Sequence, residues 1–111
     1  MRRIAGIKHD GDKPMWHLLP FDALAYVVRV MSFGAGKYGP DNWRDLDAPS
    51  DRYFSALMRH VAAWRAGEHL DPETGLPHLA HAATNAIFLL WFELQTLKPS
   101  SKSSPQKARK A

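Results

Sequence analysis

Residues 59–86 read RHVAAWRAGEHLDPETGLPHLAHAATNA and specify a helix, a tight turn and a second helix. Arg59 to Ala66 is proline-free and alanine-rich, and Gly67 supplies a stop. Asp71-Pro72-Glu73-Thr74-Gly75 has the composition of a turn, after which Pro77 suits the first position of a new helix. Residues three, four and seven apart share one helical face. His60 therefore sits one turn before Trp64, with Glu68 just past the last turn, while His78, His81 and Asn85 form a stripe on the next helix. Antiparallel pairing turns the two stripes toward each other, and carboxylates meeting imidazoles between helices are a recurring way to build a metal site.

Four of the six histidines fall in this window. His60, Glu68, Asp71, His78 and His81 are accordingly the candidate ligands of a divalent metal or the donors of a phosphate site. An isolated histidine on a helix is ordinarily solvated or hydrogen-bonded within a core, and His69 and Glu73 are read that way. HxxH by itself demands no metal; the density and helical phasing of the set carry the expectation.

Outward from the hairpin, the pattern predicts an all-α chain of three main helices. The first spans residues 20 to about 36, with Pro20 at its start and a buried stripe of Leu24, Val27, Val28 and Met31. Gly34 and Gly36 then loosen the chain into a loop, KYGPDNWRDLDAPS, over 37–50. Ser50 or Asp51 is the expected cap of the second helix, whose apolar side is Phe54, Leu57, Met58, Val61 and Trp64. The third helix runs from about Pro77 to Leu97. Its segment 86–92, AIFLLWF, is apolar nearly all the way round and must be covered on several sides. Three helices offer too little cover, and Ala80, Ala82, Ala83 and Ala86 permit close approach. The expectation is thus a bundle completed by self-association, a homodimer or tetramer through the third helix. Burying Phe88, Trp91 and Phe92 there contributes ~1.5–3 kcal/mol each; the alternative is a better-packed monomer.

At 111 residues the chain has the length of one domain, with residues 1–97 as its folded body. It contains no cysteine, so any metal is held by nitrogen and oxygen. It has no run of membrane-spanning character and no signal-peptide core, which points to a cytoplasmic protein with no membrane partner. The net charge of +4 is misleading: five of the fifteen Lys and Arg residues lie in 98–111, leaving ten against eleven acids in the body. The tail, KPSSKSSPQKARKA, reads as a disordered basic end that touches nucleic acid weakly if at all.

A second cluster, Lys37, Tyr38, Asn42, Trp43 and Arg44, combines aromatic rings with amide and cationic groups. That combination suits a nucleobase, by stacking and edge hydrogen bonds, but Trp43 and Tyr38 equally suit a plug over the helices. Lys37 and Arg59 can hold phosphate oxygens, and Lys8 and Lys13 beside Gly11 form a candidate phosphate clamp.

The succession KHDGDKP (8–14), FGAGKYGPDNW (33–43) and GEHLDPETGLPHLAHA (67–82) resembles the dATP/dGTP diphosphohydrolase N-terminal domain family, small proteins common in bacteriophages and prophages. The resemblance covers residues 8 to about 92. It implies kinship with MazG-like all-α nucleotide pyrophosphohydrolases, in which ExxE and ExxD helices hold magnesium or manganese around a triphosphate. The implied reaction is metal-dependent hydrolysis of purine deoxynucleoside triphosphates (dATP or dGTP) to monophosphate and pyrophosphate, in the host cytoplasm if the protein is phage-encoded. Laid on this chain, the ExxD helix matches His78-Leu79-Ala80-His81, and Arg59 and His60 stand where glutamates are expected. Imidazole suits manganese, cobalt or zinc better than magnesium. Glu68, Asp71 and His81 are then the candidate catalytic residues, and Lys13, Lys37, Tyr38, Asn42, Trp43 and Arg59 the candidate substrate-binding ones. A neutral-histidine requirement predicts activity falling below about pH 6.5. The alternative is a nucleotide-binding or oligomeric regulatory module of the same fold without catalysis.

Overall fold

Residues 11–98 are described by the structure, a computed structural model. It is all-α: helices α1 (Phe21–Tyr38), α2 (Pro49–Arg65) and α3 (His78–Leu97), with single 3-10 turns at Trp16–Leu18 and Asn42–Asp45. The three expected helices are present, and their ends explain how the site is built. Gly34 and Gly36 do not loosen α1. Two interior glycines cost about 1 kcal/mol each, yet the helix continues until Gly39, whose φ of 100° takes the chain out of it while its N–H still bonds the Ala35 carbonyl at 2.8 Å. Lys37 and Tyr38 therefore belong to the last helical turn, not to a loop.

Neither Ser50 nor Asp51 caps α2. The helix starts at Pro49, whose fixed φ suits a first position, after Ala48 in the left-handed region (φ 52°, ψ 56°). Pro77 is the residue before α3 and not its first turn. Between α2 and α3 the chain is drawn into a tight loop. The Asp71 N–H bonds Leu76 O at 2.8 Å, the Gly75 N–H bonds Asp71 O at 2.7 Å, and the His78 N–H bonds His69 O at 2.8 Å. Gly67, at φ 103°, and Gly75, at φ 73°, occupy the two positions of this connection where a side chain would be strained.

α3 is the centre of the fold, paired along its length with α2 and flanked by α1. Val27, Tyr53, Ala80, Ala82 and Phe88 are buried, and so are the polar His78, His81, Thr84 and Asn85. This corrects the expected stripes. On α1 only Val27 is buried, with Leu24 and Met31 half-buried and Val28 exposed. On α2, Leu57 and Val61 are half-buried, whereas Phe54, Met58 and Trp64 are exposed. The reason is rotational: α2 turns Tyr53 and His60 toward α3, so an aromatic and a polar side chain take the place of the strongest apolar periodicity.

The apolar residues of α3 expected to drive self-association are partly covered within the chain. Phe88 is buried within the chain and Trp91 and Phe92 are half-buried, while Ile87, Leu90, Leu94 and Leu97 stay exposed at alternating three- and four-residue spacing. No described helix is long and apolar enough to cross a membrane. Lys8 and the tail beyond Lys98 lie outside the described residues.

Candidate functional site

α2 and α3 run antiparallel, so their facing residues pair in two groups. Near the hairpin turn the histidines meet. His60 Nδ1 lies 2.8 Å from His78 Nδ1, and His78 Nε2 lies 2.7 Å from Glu68 Oε1. The His60 ring stacks on His81, with centroids 4.5 Å apart and planes 9° apart. His81 Nε2 in turn sits 2.7 Å from Thr74 Oγ1 and 3.4 Å from Asp71 Oδ2. The Thr74 hydroxyl donates to Asp71 Oδ2 at 3.3 Å and accepts the Leu76 N–H at 3.1 Å. All five side chains singled out as ligands are thus brought into one network. Their atoms are spent largely on each other, however: among the described residues no three His, Asp or Glu groups form a set that could hold a metal ion.

Burial sets the protonation of this cluster. His60 is pushed below the ordinary imidazole value, first by desolvation and then by the neighbouring His81 and His78. His81 is lowered as well, because desolvation outweighs the opposing pull of Asp71. Both rings are therefore neutral at pH 7.

Farther along the helix pair the contacts are aromatic. Trp43 stacks on Phe88 at 4.4 Å and 8° and meets Trp91 edge-on at 5.1 Å; Tyr53 packs on Phe88 at 5.0 Å. The Arg44 guanidinium lies 4.4 Å from the Trp43 ring centroid, and the Tyr53 hydroxyl donates to the Trp43 carbonyl at 2.7 Å. Of the two roles open to Trp43, the structure gives it the plug: its ring is engaged by protein and holds the α1–α2 connection onto α3. Burial raises the Tyr53 phenol above its ordinary value.

A cleft of about 730 Å³ runs past both groups, within the range of small-molecule sites. Of the expected substrate and metal residues, Lys37, Tyr38, Asn42, Trp43, Arg59, His60, Asp71 and His81 line it; Glu68, His78 and Lys13 do not. Lys13 is exposed in the segment before α1, and its expected clamp partner Lys8 lies outside the described residues. Glu68 and His78 stand behind His60, so they are backing residues of the cleft and not its lining.

Three lining residues escaped the sequence reading. Arg52 lies seven residues before Arg59 on the same face of α2, a spacing that could have shown it. Thr74 was readable only as a turn residue. Glu73, set aside as solvated, receives Lys37 Nζ at 2.6 Å, and this hydrogen bond raises the lysine above its ordinary value. The pair joins the end of α1 to the α2–α3 turn, and no local spacing signals such a contact.

The chain is 38% identical over 88 residues to a protein of Salmonella phage PMBT28 named dATP/dGTP diphosphohydrolase. That match covers 79% of this chain and 30% of the relative, so the chain spans less than a third of the relative's length. No solved structure matches it. The model of the family described as dATP/dGTP diphosphohydrolase, N-terminal, matches residues 3–102, and the chain belongs to that family.

Proposed function

We propose that the cleft binds a purine deoxynucleoside triphosphate and hydrolyses it to the monophosphate and pyrophosphate. The observation that carries this reading is the composition of one continuous cleft: Arg52, Arg59 and Lys37 offer positive charge, His60, Asp71 and His81 offer neutral nitrogen and carboxylate oxygen, and Tyr38 and Asn42 offer an aromatic face and an amide. Tyr38 is 63% exposed and free of ring stacking among the described residues, so it takes over the base-stacking role that Trp43 cannot fill. The name of the phage relative supports the substrate class.

The reaction is proposed to be metal-dependent, within a fold of MazG-like type. A cation that arrives on a triphosphate needs one or two protein oxygens, with water and phosphate completing its shell. This agrees with the lack of a ready-made cage among the described residues. Asp71, beside His81 on the cleft wall, would be the carboxylate to contribute, since Glu73 is taken by Lys37; imidazole ligation would favour manganese, cobalt or zinc over magnesium. Such an ion, held by Asp71, would neutralise phosphate charge and lower the pKa of bound water. The chain's own part is to hold the phosphates with Arg52 and Arg59 and to keep His60 and His81 neutral beside them.

Self-association is proposed through the exposed stripe Ile87, Leu90, Leu94 and Leu97, whose spacing is that of a helix-pairing seam. The test of the reaction is incubation with each dNTP and manganese, magnesium, cobalt or zinc, with pyrophosphate as readout. Pyrophosphate from dATP or dGTP supports it. Thermal stabilisation by nucleotide without product overturns it in favour of a binding module.

A further inference from the structure

Thr84 and Asn85 are buried polar residues for which the proposed reaction has no task. They keep only 2% and 9% of their surface exposed, yet both line the cleft. Each returns its hydrogen to its own helix. The Thr84 hydroxyl donates to the Ala80 carbonyl at 2.8 Å, and Asn85 Nδ2 donates to the His81 carbonyl at 2.8 Å. A carbonyl cannot donate, so the second bond fixes the Asn85 amide with its nitrogen toward the helix and Oδ1 away from that bond. Among the described residues no donor meets Asn85 Oδ1 or Thr84 Oγ1. Buried polar atoms are ordinarily paired, and a buried amide oxygen left open beside a cleft is a place for a ligand's donor.

Position along α3 decides which donor. Asn85 follows His81 by four residues and precedes Phe88 by three, about 6 Å and about 4.5 Å along the helix axis. It therefore stands between the imidazole end of the cleft, where Arg59 adjoins His60, and the aromatic end, where Asn42 adjoins the Trp43 ring stacked on Phe88. We infer that Asn85 reads the sugar: its Oδ1, with Thr84 Oγ1 beside it, accepts a hydrogen bond from the 3′-hydroxyl of a deoxynucleotide. The inference rests on the nucleotide reading of the cleft and goes beyond it by naming the part of the ligand held at the middle.

The chemistry favours that part over the others. Between the phosphates and the base of a deoxynucleotide lies the sugar, and its 3′-hydroxyl is the O–H donor available there. Ionised phosphate oxygens and base carbonyls only accept, so two acceptors with their hydrogens already spent repel both. An amino group of the base is the other neutral donor, but it lies beyond the sugar, toward the aromatic end.

The experiment is calorimetric titration of the full chain, with manganese, by α,β-imido dGTP, whose P–N–P link blocks the proposed cleavage. Two counterparts are titrated beside it, one with fluorine in place of the 3′-hydroxyl and one with hypoxanthine in place of guanine. Leaving a buried acceptor unpaired is expected to weaken the 3′-fluoro ligand by about 5- to 150-fold, with the hypoxanthine ligand bound as tightly as the parent. A loss below about fivefold for the fluoro ligand overturns the inference, and so does a loss confined to the hypoxanthine ligand, which would give the acceptor to the base amino group. Asn85→Leu keeps the volume and removes the oxygen. In it the parent and fluoro ligands are expected to bind within about twofold of each other, and discrimination retained at the wild-type level overturns the assignment to Asn85. The ligand series in the wild type decides the inference even where that variant does not fold. If the parent compound itself does not bind, the nucleotide reading fails and takes this inference with it; equal binding of parent and fluoro ligand sinks the inference alone.

Discussion

The two ends of the α2–α3 interface perform different work with the same geometry. At one end His60, His78 and His81 meet through hydrogen bonds and a ring stack, backed by Glu68, Asp71 and Thr74. At the other, Trp43, Tyr53 and Phe88 meet through ring faces and edges. Aromatic contacts gain from every square ångström removed from water and tolerate small shifts. Hydrogen-bonded imidazoles gain little net stability but fix which atom faces where. The contrast implies that stability and the proposed chemistry are separable along one helix pair, the aromatic end holding the fold and the imidazole end carrying the proposed site.

The largest expected effect breaks the fold. Phe88→Ala removes the ring on which Trp43 and Tyr53 both pack, at a cost of about 3–5 kcal/mol. A domain with total stability of about 5–15 kcal/mol barely survives that loss. Denaturant unfolding with matched m-values measures it; a loss below about 1 kcal/mol would place the core elsewhere. Next in size is His60→Ala, expected to lower turnover of dATP or dGTP by about 10²–10⁴-fold while costing about 1–3 kcal/mol of stability, because the buried His78 Nδ1 loses its partner. Equal damage to melting and turnover would erase the distinction between the two ends.

A smaller effect is expected from pH. Folded His60 and His81 both titrate below the unfolded imidazole value of about 6.5. Between the folded and unfolded values the unfolded chain binds more protons, so stability is full above about pH 6.5 and declines as pH falls through that value toward the folded ones. Activity should hold to lower pH than an unshifted histidine would allow, and a pH–rate profile checks this. Smallest is Glu73→Gln, which breaks the ion pair to an exposed Lys37. Exposed pairs contribute little, so melting should be unchanged while KM responds to the freed lysine.

Much of this was readable from the residues. The three helices were marked by Pro20, Gly67, Pro77 and the apolar runs between them, and the His60, His78 and His81 convergence followed from helical phasing. What was not readable was rotation about each helix axis. Phe54, Met58 and Trp64 carry the stronger apolar signal on α2, yet Tyr53 and His60 face inward because their partners on α3 are Phe88 and the two histidines. The Lys37–Glu73 contact and the Trp43 plug depend on where α1 and its connection come to rest, which is a tertiary fact. Exposed Ile87, Leu90 and Leu94 show the same limit, since an apolar segment announces burial without naming the neighbour.

The closed loop between α2 and α3 has a consequence for the order of assembly. Its backbone bonds join residues close in sequence, Asp71 to Leu76 and Gly75 to Asp71, whereas Trp43 must find Phe88 across the whole of α2. Loop-closure entropy grows with the length enclosed, so the hairpin is expected to gain protection of its Asp71 and Gly75 amides before Trp43 docks. Pulsed hydrogen exchange alongside stopped-flow fluorescence would reveal the sequence of events, and indole burial arriving first would reverse it.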